Sequence, residues 1–455
     1  MLIKKQREIL LAIIFGMFIA VSISYLQNIT LSVILIIFIG GALLLIRNKV
    51  EKALIISILI SVFCFSVVLG INTFIYLTLD RIFILLLIVY FFLTTRRYNL
   101  TKFEKLFLIF IFSIALPTFI MSMLKDYSLL ENSFKKVSLM FIEFFLFLFV
   151  LSRVLVKYKP EKFMKQIIFM GALVGVYGII EFVAQRNFLF DFIIQHGFSY
   201  NETYSTSFTW GQVRGNVMRA KATFSHTLEF AGVMSLLIPC TLYFILEEKS
   251  KSKKILLSIC LGVFLTGVTL AISRSMLVIN LFIIIVFLLT TKSISLVKKI
   301  SIVVIGILTT FLSIIFLFDF FFPEGASNDQ SLGIRSSNLL NGFSLIKENF
   351  LFGLGYGYIP PGQVYDNYLF SLFIQSGIIG VISFISAFLY LMFFHFKRIN
   401  KDINKSNYHL CMFLLVLTFL LLNTAFDAMS FIAVSKIFFL LLATGIAMNE
   451  KFEKN

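Results

Sequence analysis

Residues 333–384 read GIRSSNLLNGFSLIKENFLFGLGYGYIPPGQVYDNYLFSLFIQSGIIGVISF, a polar segment that passes directly into an apolar run. The polar part carries a glycine-rich turn at Gly353, Gly355 and Gly357 and ends at Asp366-Asn-Tyr. A long polar segment between apolar runs is more typical of a functional loop than of a simple connector. We therefore expect much of the function of this chain to lie in this loop.

The composition around this loop predicts a membrane protein. The chain has 455 residues, of which 59% are hydrophobic and 14% are charged, whereas soluble domains carry about 25% charged residues. Apolar runs close to the roughly 20 residues needed to cross a bilayer recur along the chain and predict about 12–14 transmembrane helices. Because a lipid-exposed backbone must satisfy its own hydrogen bonds, and no alternating strand pattern is seen, we expect an all-α fold.

The apolar runs divide the chain into predicted spans and loops. Two connections are long, at about 185–223 and 321–366, and a shorter polar connection at about 124–136 is predicted to be a solvated connector. The first apolar run lacks a small-residue cleavage site and is interpreted as a retained span. The spans are predicted at about 9–24, 30–46, 53–72, 74–94, 103–123, 137–156, 164–184, 224–246, 255–272, 275–291, 300–320, 367–394, 408–425 and 430–448.

The net charge of +17 is distributed unevenly between the two sides of the predicted membrane domain. Alternate connections hold most of the Lys and Arg residues, although the other side holds both long loops. This positive-inside pattern predicts a multi-pass protein of the cytoplasmic membrane with both termini in the cytoplasm and both long loops outside it. The basic residues then serve topology and contact with the lipid bilayer, and nucleic acid is not an expected partner.

Polar residues inside the predicted spans are few. Cys64, Cys240, Cys260 and Cys411 are far apart and lack metal-ligand spacing, so we expect ordinary apolar packing, no metal and no cofactor. Charged residues inside membrane spans are costly and are functional candidates by default. Asp80 and Arg81 are expected to pair with each other or with a neighbour. The other intramembrane acids are Glu143, Glu181 and Glu229.

Basic residues on the predicted outer side suggest an anion site. Guanidinium groups bind phosphate oxygens bidentately, so arginines converging from several loops would hold a diphosphate; interfacial arginines that only reach lipid headgroups are the alternative. Arg274, between two spans and flanked by serines, is the most informative of them. The basic candidates are Arg214, Arg219, Lys221, Arg274 and Arg335.

Asp366 is the best acid–base candidate, because it follows a stiff Pro-Pro-Gly turn at the start of a span. The alternative is that Asp366 only caps the following helix. His226 is a secondary candidate, and Tyr356 and Tyr365 are placed to line a sugar path, although interfacial aromatic belts use the same residues. Ser344–Asn349 is expected to form a short amphipathic helix. The glycine turn is not a dinucleotide fingerprint, because no strand–helix unit surrounds it.

The run from Arg335 through SLIKENFLFGLGYGYI to DNYLFSLFIQSGIIGVISF resembles the signature of the O-antigen ligase and polymerase superfamily. That signature has an arginine, a helix, a Gly-x-Gly-x-Gly turn and a polar residue followed by Asn. Residues 219–239, RAKATFSHTLEFAGVMSLLIP, are similar to the preceding loop and helix of that family, and Ser273-Arg-Ser is similar to its short arginine-bearing turn. The resemblance covers roughly the second half of the chain.

The resemblance implies a metal-independent, GT-C-like membrane glycosyltransferase that uses polyprenyl-diphosphate-linked oligosaccharides as donor and acceptor. The ligase branch usually carries a histidine where this chain has Asp366, so the resemblance favours a Wzy-type polysaccharide polymerase for O-antigen, capsule or exopolysaccharide, with a chain-length regulator as a possible partner. Arg219, Arg274 and Arg335 are then expected to hold the donor diphosphate, and Asp366 to act on the acceptor hydroxyl. A ligase that transfers the glycan to a final acceptor and a flippase or other transporter are the alternatives.

Overall fold

The computed structural model describes residues 50–64, 70–71, 77–95, 99–125, 127–195, 213–214, 217–291, 330–360, 363, 365, 367–402 and 405–454. Within these residues the fold is nearly all helical. The predicted spans 9–24, 30–46 and 300–320 lie outside the described residues.

The described helices follow one another along the chain with two small β-hairpins between them. The two hairpins pair β1 (Gly70–Ile71) with β2 (Leu77–Thr78) and β3 (Val213–Arg214) with β4 (Val217–Met218). The helices are α1 (Val50–Cys64), α2 (Leu79–Thr94), α3 (Lys102–Lys125), α4 (Tyr127–Met140), a π-helical segment (Phe141–Leu146), α5 (Phe147–Val156), α6 (Pro160–Ala184), α7 (Phe188–Gln195), α8 (Thr227–Glu247), α9 (Lys251–Leu270), α10 (Arg274–Thr290), α11 (Gln330–Glu348), α12 (Tyr368–Lys401), α13 (Ser406–Ala425) and α14 (Ile432–Lys454).

Eight helices of the described part are long and apolar enough to cross a membrane, so the chain is a multi-pass membrane protein. They account for eight of the predicted spans. The spans are Lys102–Met121, Glu131–Val156, Pro160–Ala184, Thr227–Glu247, Lys251–Leu270, Tyr368–Lys401, Ser406–Ala425 and Ile432–Phe452, and the helix Arg274–Thr290 is apolar but shorter.

Three details of the sequence prediction were wrong. The spans predicted at 53–72 and 74–94 are shortened, because the β1–β2 hairpin takes up the residues between α1 and α2. The connector predicted at 124–136 is helical, and a Glu131–Lys135 ion pair of 2.7 Å, one turn apart, supports this helix. The short helix predicted at 344–349 is the end of the 19-residue helix α11.

The helices run alternately between two ends of the bundle. At one end, which we call the basic end, ion pairs and hydrogen bonds join Arg153 to Glu104, Lys165 to Glu248 and Asn407 to Glu247. The other end, which we call the site end, holds the starts of α8, α10, α12 and α14. The lysines of the α8–α9 and α12–α13 connections lie at the basic end, opposite the predicted site residues.

Helix α12 is sharply bent at Gly377, where φ is 63° and ψ is −168°. Asn367 and Phe388 are 21 residues apart, yet they contact Thr424 and Phe419 of α13, which are only five apart. A straight helix of 21 residues is about 32 Å long. The bend therefore leaves Ile378–Lys401 as the spanning part of α12 and turns Tyr368–Ser376 across the site end.

The glycine turn closes the gap in α12 that this bend opens. Leu354 N–H donates to Ile374 O and Gly355 N–H donates to Gln375 O, each at 2.9 Å, and Ile378 N–H donates to Phe350 O at 2.9 Å. These bonds satisfy backbone groups that the break frees inside a membrane domain. We call this contact between Phe350–Gly357 and Ile374–Ile378 the glycine joint.

Glycine is required on both sides of the joint. A Cβ atom at Gly353 would lie 2.5 Å from the backbone of Gln375 and Ser376, and one at Gly377 would lie 2.2 Å from Leu351 O. Both residues also have positive φ, which favours glycine. The joint is tied to α3 as well, because Tyr356 N–H donates to Thr118 Oγ1 at 2.8 Å.

Candidate functional site

Arg219 lies against the segment that directly precedes Arg274, at the site end of the bundle. The segment that carries Arg219 lies along the end of α9, where Ala220 N–H donates to Leu270 O at 3.1 Å. The Arg219 Nε–H donates to Ala271 O at 2.8 Å, three residues before Arg274. Both arginines are half-buried. Two guanidinium groups predicted to act together therefore lie on adjoining loops.

The segment 219–226 is held in place by two buried acids that the sequence analysis singled out without a role. Glu181 accepts hydrogen bonds from the backbone N–H groups of Lys221 and Ala222 and from the side chain of Asn187. Glu229 accepts from Ser225 N–H at 3.1 Å and from Ser225 Oγ–H at 2.6 Å. These carboxylates fix the backbone on which Arg219 and His226 are presented.

Lys221 is buried, with 2% of its surface exposed, and its ammonium lies 4.1 Å from the centre of the Phe190 ring. Burial lowers the pKa of Lys221 to about 8, and the nearby Glu181 and Asp191 carboxylates partly offset that fall. At a pH slightly above 7, a fraction of the Lys221 side chains is therefore uncharged. A direct contact between Lys221 and substrate stays a prediction.

His226 caps α8, because its Nδ1 accepts the Leu228 N–H at 3.1 Å. This bond places any ring proton on Nε2. The ring lies 5.6 Å from that of Phe431, in the short turn between α13 and α14. That turn also carries Asp427, whose Oδ1 accepts the Ser430 N–H at 3.1 Å.

Tyr356 and Tyr365 are both buried. Burial raises the pKa of Tyr356, and the Asp427 carboxylate adds to the rise, so Asp427 lies near this phenol. Burial also raises the pKa of Tyr365, whose hydroxyl donates to Gln363. The turn that holds Asp427 thus lies near both His226 and Tyr356.

Lys136 of α4 also reaches this region, where its Nζ donates to Gly357 O at 3.2 Å and is attracted by Asp427. Neither Lys136 nor Asp427 was predicted as a site residue from the sequence. Lys136 was assigned to a solvated connector, and Asp427 stands in a very short turn between two apolar runs. A charge within a few residues of a predicted span is the signal that identifies both.

The remaining predicted site residues are only partly described. Asp366 lies outside the described residues. The cap of α12 is Asn367, whose side chain accepts the Phe370 N–H at 3.1 Å, so the alternative in which Asp366 is the helix cap was wrong. Arg335 belongs to α11 and Arg214 to β3, and the side chains of both lie outside the described part of the chain.

A buried ionic cluster lies below the site end, inside the bundle. Lys436 of α14 pairs with Asp80 and lies 3.7 Å from Glu143, while Arg81 pairs with Glu143. All four side chains are buried. As expected, Asp80 and Arg81 have charged neighbours, but Lys436 was not predicted as one of them. A single lysine inside the run FIAVSKIFFLLLATG is the signal that identifies it.

Glu143 of this cluster lies in the π-helical segment Phe141–Leu146. Helix α4 thus passes into α5 through a widened turn, which directs the Glu143 carboxylate to two cations at once. Widened turns of this kind are frequent at functional sites in proteins. The cluster is therefore a second candidate site, distinct from the arginine and tyrosine groups.

The described residues contain no group of three or more His, Cys, Asp or Glu side chains placed to hold a metal ion. Cys240, Cys260 and Cys411 are buried free thiols. In comparisons with known proteins, no family model matches the chain and no curated protein is similar to it.

Proposed function

We propose that the protein is a polysaccharide polymerase of the membrane, which transfers a growing glycan from its polyprenyl-diphosphate carrier to a lipid-linked repeat unit. The observation that supports it is the position of Arg219 and Arg274 on adjoining segments at the end opposite the lysine-rich connections. The positive-inside rule places that end outside the cytoplasm. The proposal includes the cytoplasmic membrane as location and a GT-C-like helical domain.

In this proposal the acceptor sugar hydroxyl attacks the anomeric carbon of the donor glycan. The bond from that carbon to the diphosphate oxygen breaks, and polyprenyl diphosphate leaves with the electron pair. Arg219 and Arg274, with Arg335, stabilise the negative charge on the leaving diphosphate. Asp366 accepts the hydroxyl proton. The proposal assigns no metal or cofactor to the reaction.

The test is a gel of surface glycan from a strain that lacks the protein and is complemented with wild type, Arg274→Ala, Arg219→Ala or Asp366→Asn. Membrane levels of each variant are matched by immunoblot. We expect wild type to restore a ladder of chain lengths, and the three variants to leave single repeat units on the final acceptor. A full ladder from all three variants contradicts the proposal.

The same gel distinguishes a ligase. Loss of a ligase leaves polymerised glycan on its lipid carrier, so no glycan reaches the final acceptor. The resemblance of residues 335–384 to the ligase and polymerase superfamily covers both enzymes, and Asp366 at the position of the ligase histidine favours the polymerase.

A transporter of lipid-linked oligosaccharide is a second candidate, favoured by the buried ionic cluster and the bend at Gly377. Intramembrane charges and broken helices are frequent at the binding sites of transporters. A transporter predicts that precursors accumulate on the cytoplasmic side when Lys436 and Asp80 are replaced together by Met and Asn. A polymerase predicts that this double variant keeps its ladder, because neither residue is among those proposed to hold the diphosphate or to act on the acceptor.

A further inference from the structure

The described side chains of α11 fall into three sectors, of which one packs on α12 and two are exposed. At about 100° per residue, Gly342, Leu345 and Ile346 share the packed side, where a Cβ atom at Gly342 would lie 2.5 Å from the Phe370 ring. Ser337, Asn341, Ser344 and Glu348 share an exposed polar side. The third sector is exposed and apolar, and it contains Leu339, Leu340 and Phe343.

The apolar sector is large for a helix in a polar loop. Leu340 is 73% exposed and Phe343 is 54% exposed. The sector continues beyond the end of α11 into Phe350, Leu351 and Phe352, each about half exposed. We call these six residues the apolar strip. A contiguous exposed patch of this type on a folded surface marks a contact with lipid or protein.

The glycine joint places one end of the apolar strip against the membrane-spanning part of α12. Ile378 N–H donates to Phe350 O at 2.9 Å, and Gly377 approaches Leu351. The first turns of the spanning segment expose Ile379 and Ile382 on its surface, as expected for side chains that face acyl chains. The strip is thus continuous with the lipid-facing surface of a spanning helix.

Lys347 is exposed in the last turn of α11, and at about 100° per residue it lies between Phe343 and Leu340. A lysine stem covers apolar surface while its ammonium reaches the headgroups. A helix with a polar face and an apolar face can therefore lie in the membrane interface with Lys347 extended to the headgroups. The polar sector then faces water on the opposite side of the strip.

We propose that α11 is an interfacial helix whose apolar strip inserts into the acyl chains of the leaflet at the site end. The segment predicted as an aqueous loop is then part of the membrane-embedded surface. If the proposed polymerase function holds, this insertion keeps the backbone of Arg335 at the depth of lipid headgroups, where the diphosphate of a lipid-linked substrate lies. The insertion itself does not depend on that function.

The test uses tryptophan as a depth probe in the full-length protein. Trp210 is the single tryptophan, and Trp210→Phe provides the background. Leu340→Trp and Phe343→Trp place the probe on the apolar strip, and Asn341→Trp and Ser344→Trp place it on the polar sector of the same helix turns. Each variant is reconstituted in phosphatidylcholine vesicles with plain or acyl-brominated chains, after gel filtration confirms that it is folded.

We expect brominated lipid to reduce the fluorescence of both strip variants by about twofold or more, and iodide in water to quench mainly the two polar-sector variants. Equal quenching of all four by iodide overturns the proposal, because the strip then faces water. Equal quenching of all four by brominated lipid also overturns it, because the whole helix is then immersed. Strip probes that neither agent reaches show that protein covers the strip, which overturns it as well. Because these experiments do not measure glycan synthesis, their results are independent of whether the protein is a polymerase.

Discussion

The glycine joint and the buried ionic cluster fix the same bundle by opposite means. The joint is conspicuous in the sequence, as three glycines in five residues, and holds two backbones together because side chains are absent. The cluster is inconspicuous, since Asp80 and Lys436 are 356 residues apart, and holds helices together because charges are present. A visible motif thus marks a steric requirement, whereas long-range electrostatic partners leave little signal in the local sequence.

The greatest loss of stability is expected from a substitution in the glycine joint, which tests the steric half of this comparison. Gly377→Ala places a Cβ atom 2.2 Å from Leu351 O at a φ and ψ that only glycine adopts readily. We expect a loss of more than about 4 kcal/mol and no monodisperse protein in detergent. Gly262→Ala, where no atom lies within 4 Å of the new Cβ, is the control and is expected to fold normally. Equal melting temperatures for the two variants contradict the steric account.

The next largest effect tests the electrostatic half. Lys436→Met leaves the buried Asp80 carboxylate without its ammonium partner, and breaking a buried pair on one side costs about 3–5 kcal/mol. Lys436→Met combined with Asp80→Asn removes both charges and is expected to recover much of that loss. Thermal unfolding in matched detergent measures both variants. A double variant less stable than Lys436→Met contradicts the pairing.

A smaller effect separates steric clash from backbone strain within the joint. A Cβ atom at Gly355 meets only Thr118 Cγ2 at 3.9 Å, but φ is 110° there. Gly355→Ala is therefore expected to cost about 1–2 kcal/mol through strain alone. Gly353→Ala adds a 2.5 Å approach to the Gln375 backbone and is expected to cost clearly more. Comparable melting temperatures for the two variants would mean that contact across the joint does not matter.

The smallest effect is a pH dependence at Lys221, which combines burial with charge. Its pKa falls to about 8 from 10.5, so between these values the unfolded chain binds more protons than the folded one. Stability therefore rises with pH across this window, and the gain is absent below pH 8. Lys221→Met is expected to flatten the slope of melting temperature between pH 8 and pH 10. If the slope is unchanged in Lys221→Met, the pH dependence of stability comes from other titratable groups and the prediction is wrong.

Hydropathy predicted the helical membrane fold well, because each span satisfies its own backbone and needs no partner to be recognised. The division of α12 was not predicted. Gly377 stands in an apolar run, and only its contact with Leu351 shows why it must be glycine. Arg219 and Arg274 were selected from their chemistry alone, and their position on adjoining segments depends on a loop–helix contact that residue spacing does not encode.

The roles of the buried acids Glu181 and Glu229 were also not predictable from the sequence. Glu181 and Glu229 were recognised as unusual, yet their work of holding the backbone of residues 219–226 required the hydrogen bonds to be seen. Lys436 and Asp427 were missed, since one lies inside a span and the other in a turn of very few residues. Charge within an apolar run is a signal worth following even where it occurs once.

The glycine joint also imposes an order of events during biogenesis. The turn Phe350–Gly357 precedes α12 in the chain, yet its hydrogen-bond partners at Ile374–Ile378 are synthesised after it, and Thr118 long before it. The turn therefore stays undocked until α12 has entered the bilayer beside α3. Nascent chains released before residue 378 would lack the receiving half of the joint, so membrane insertion and completion of the site end are separate steps in time.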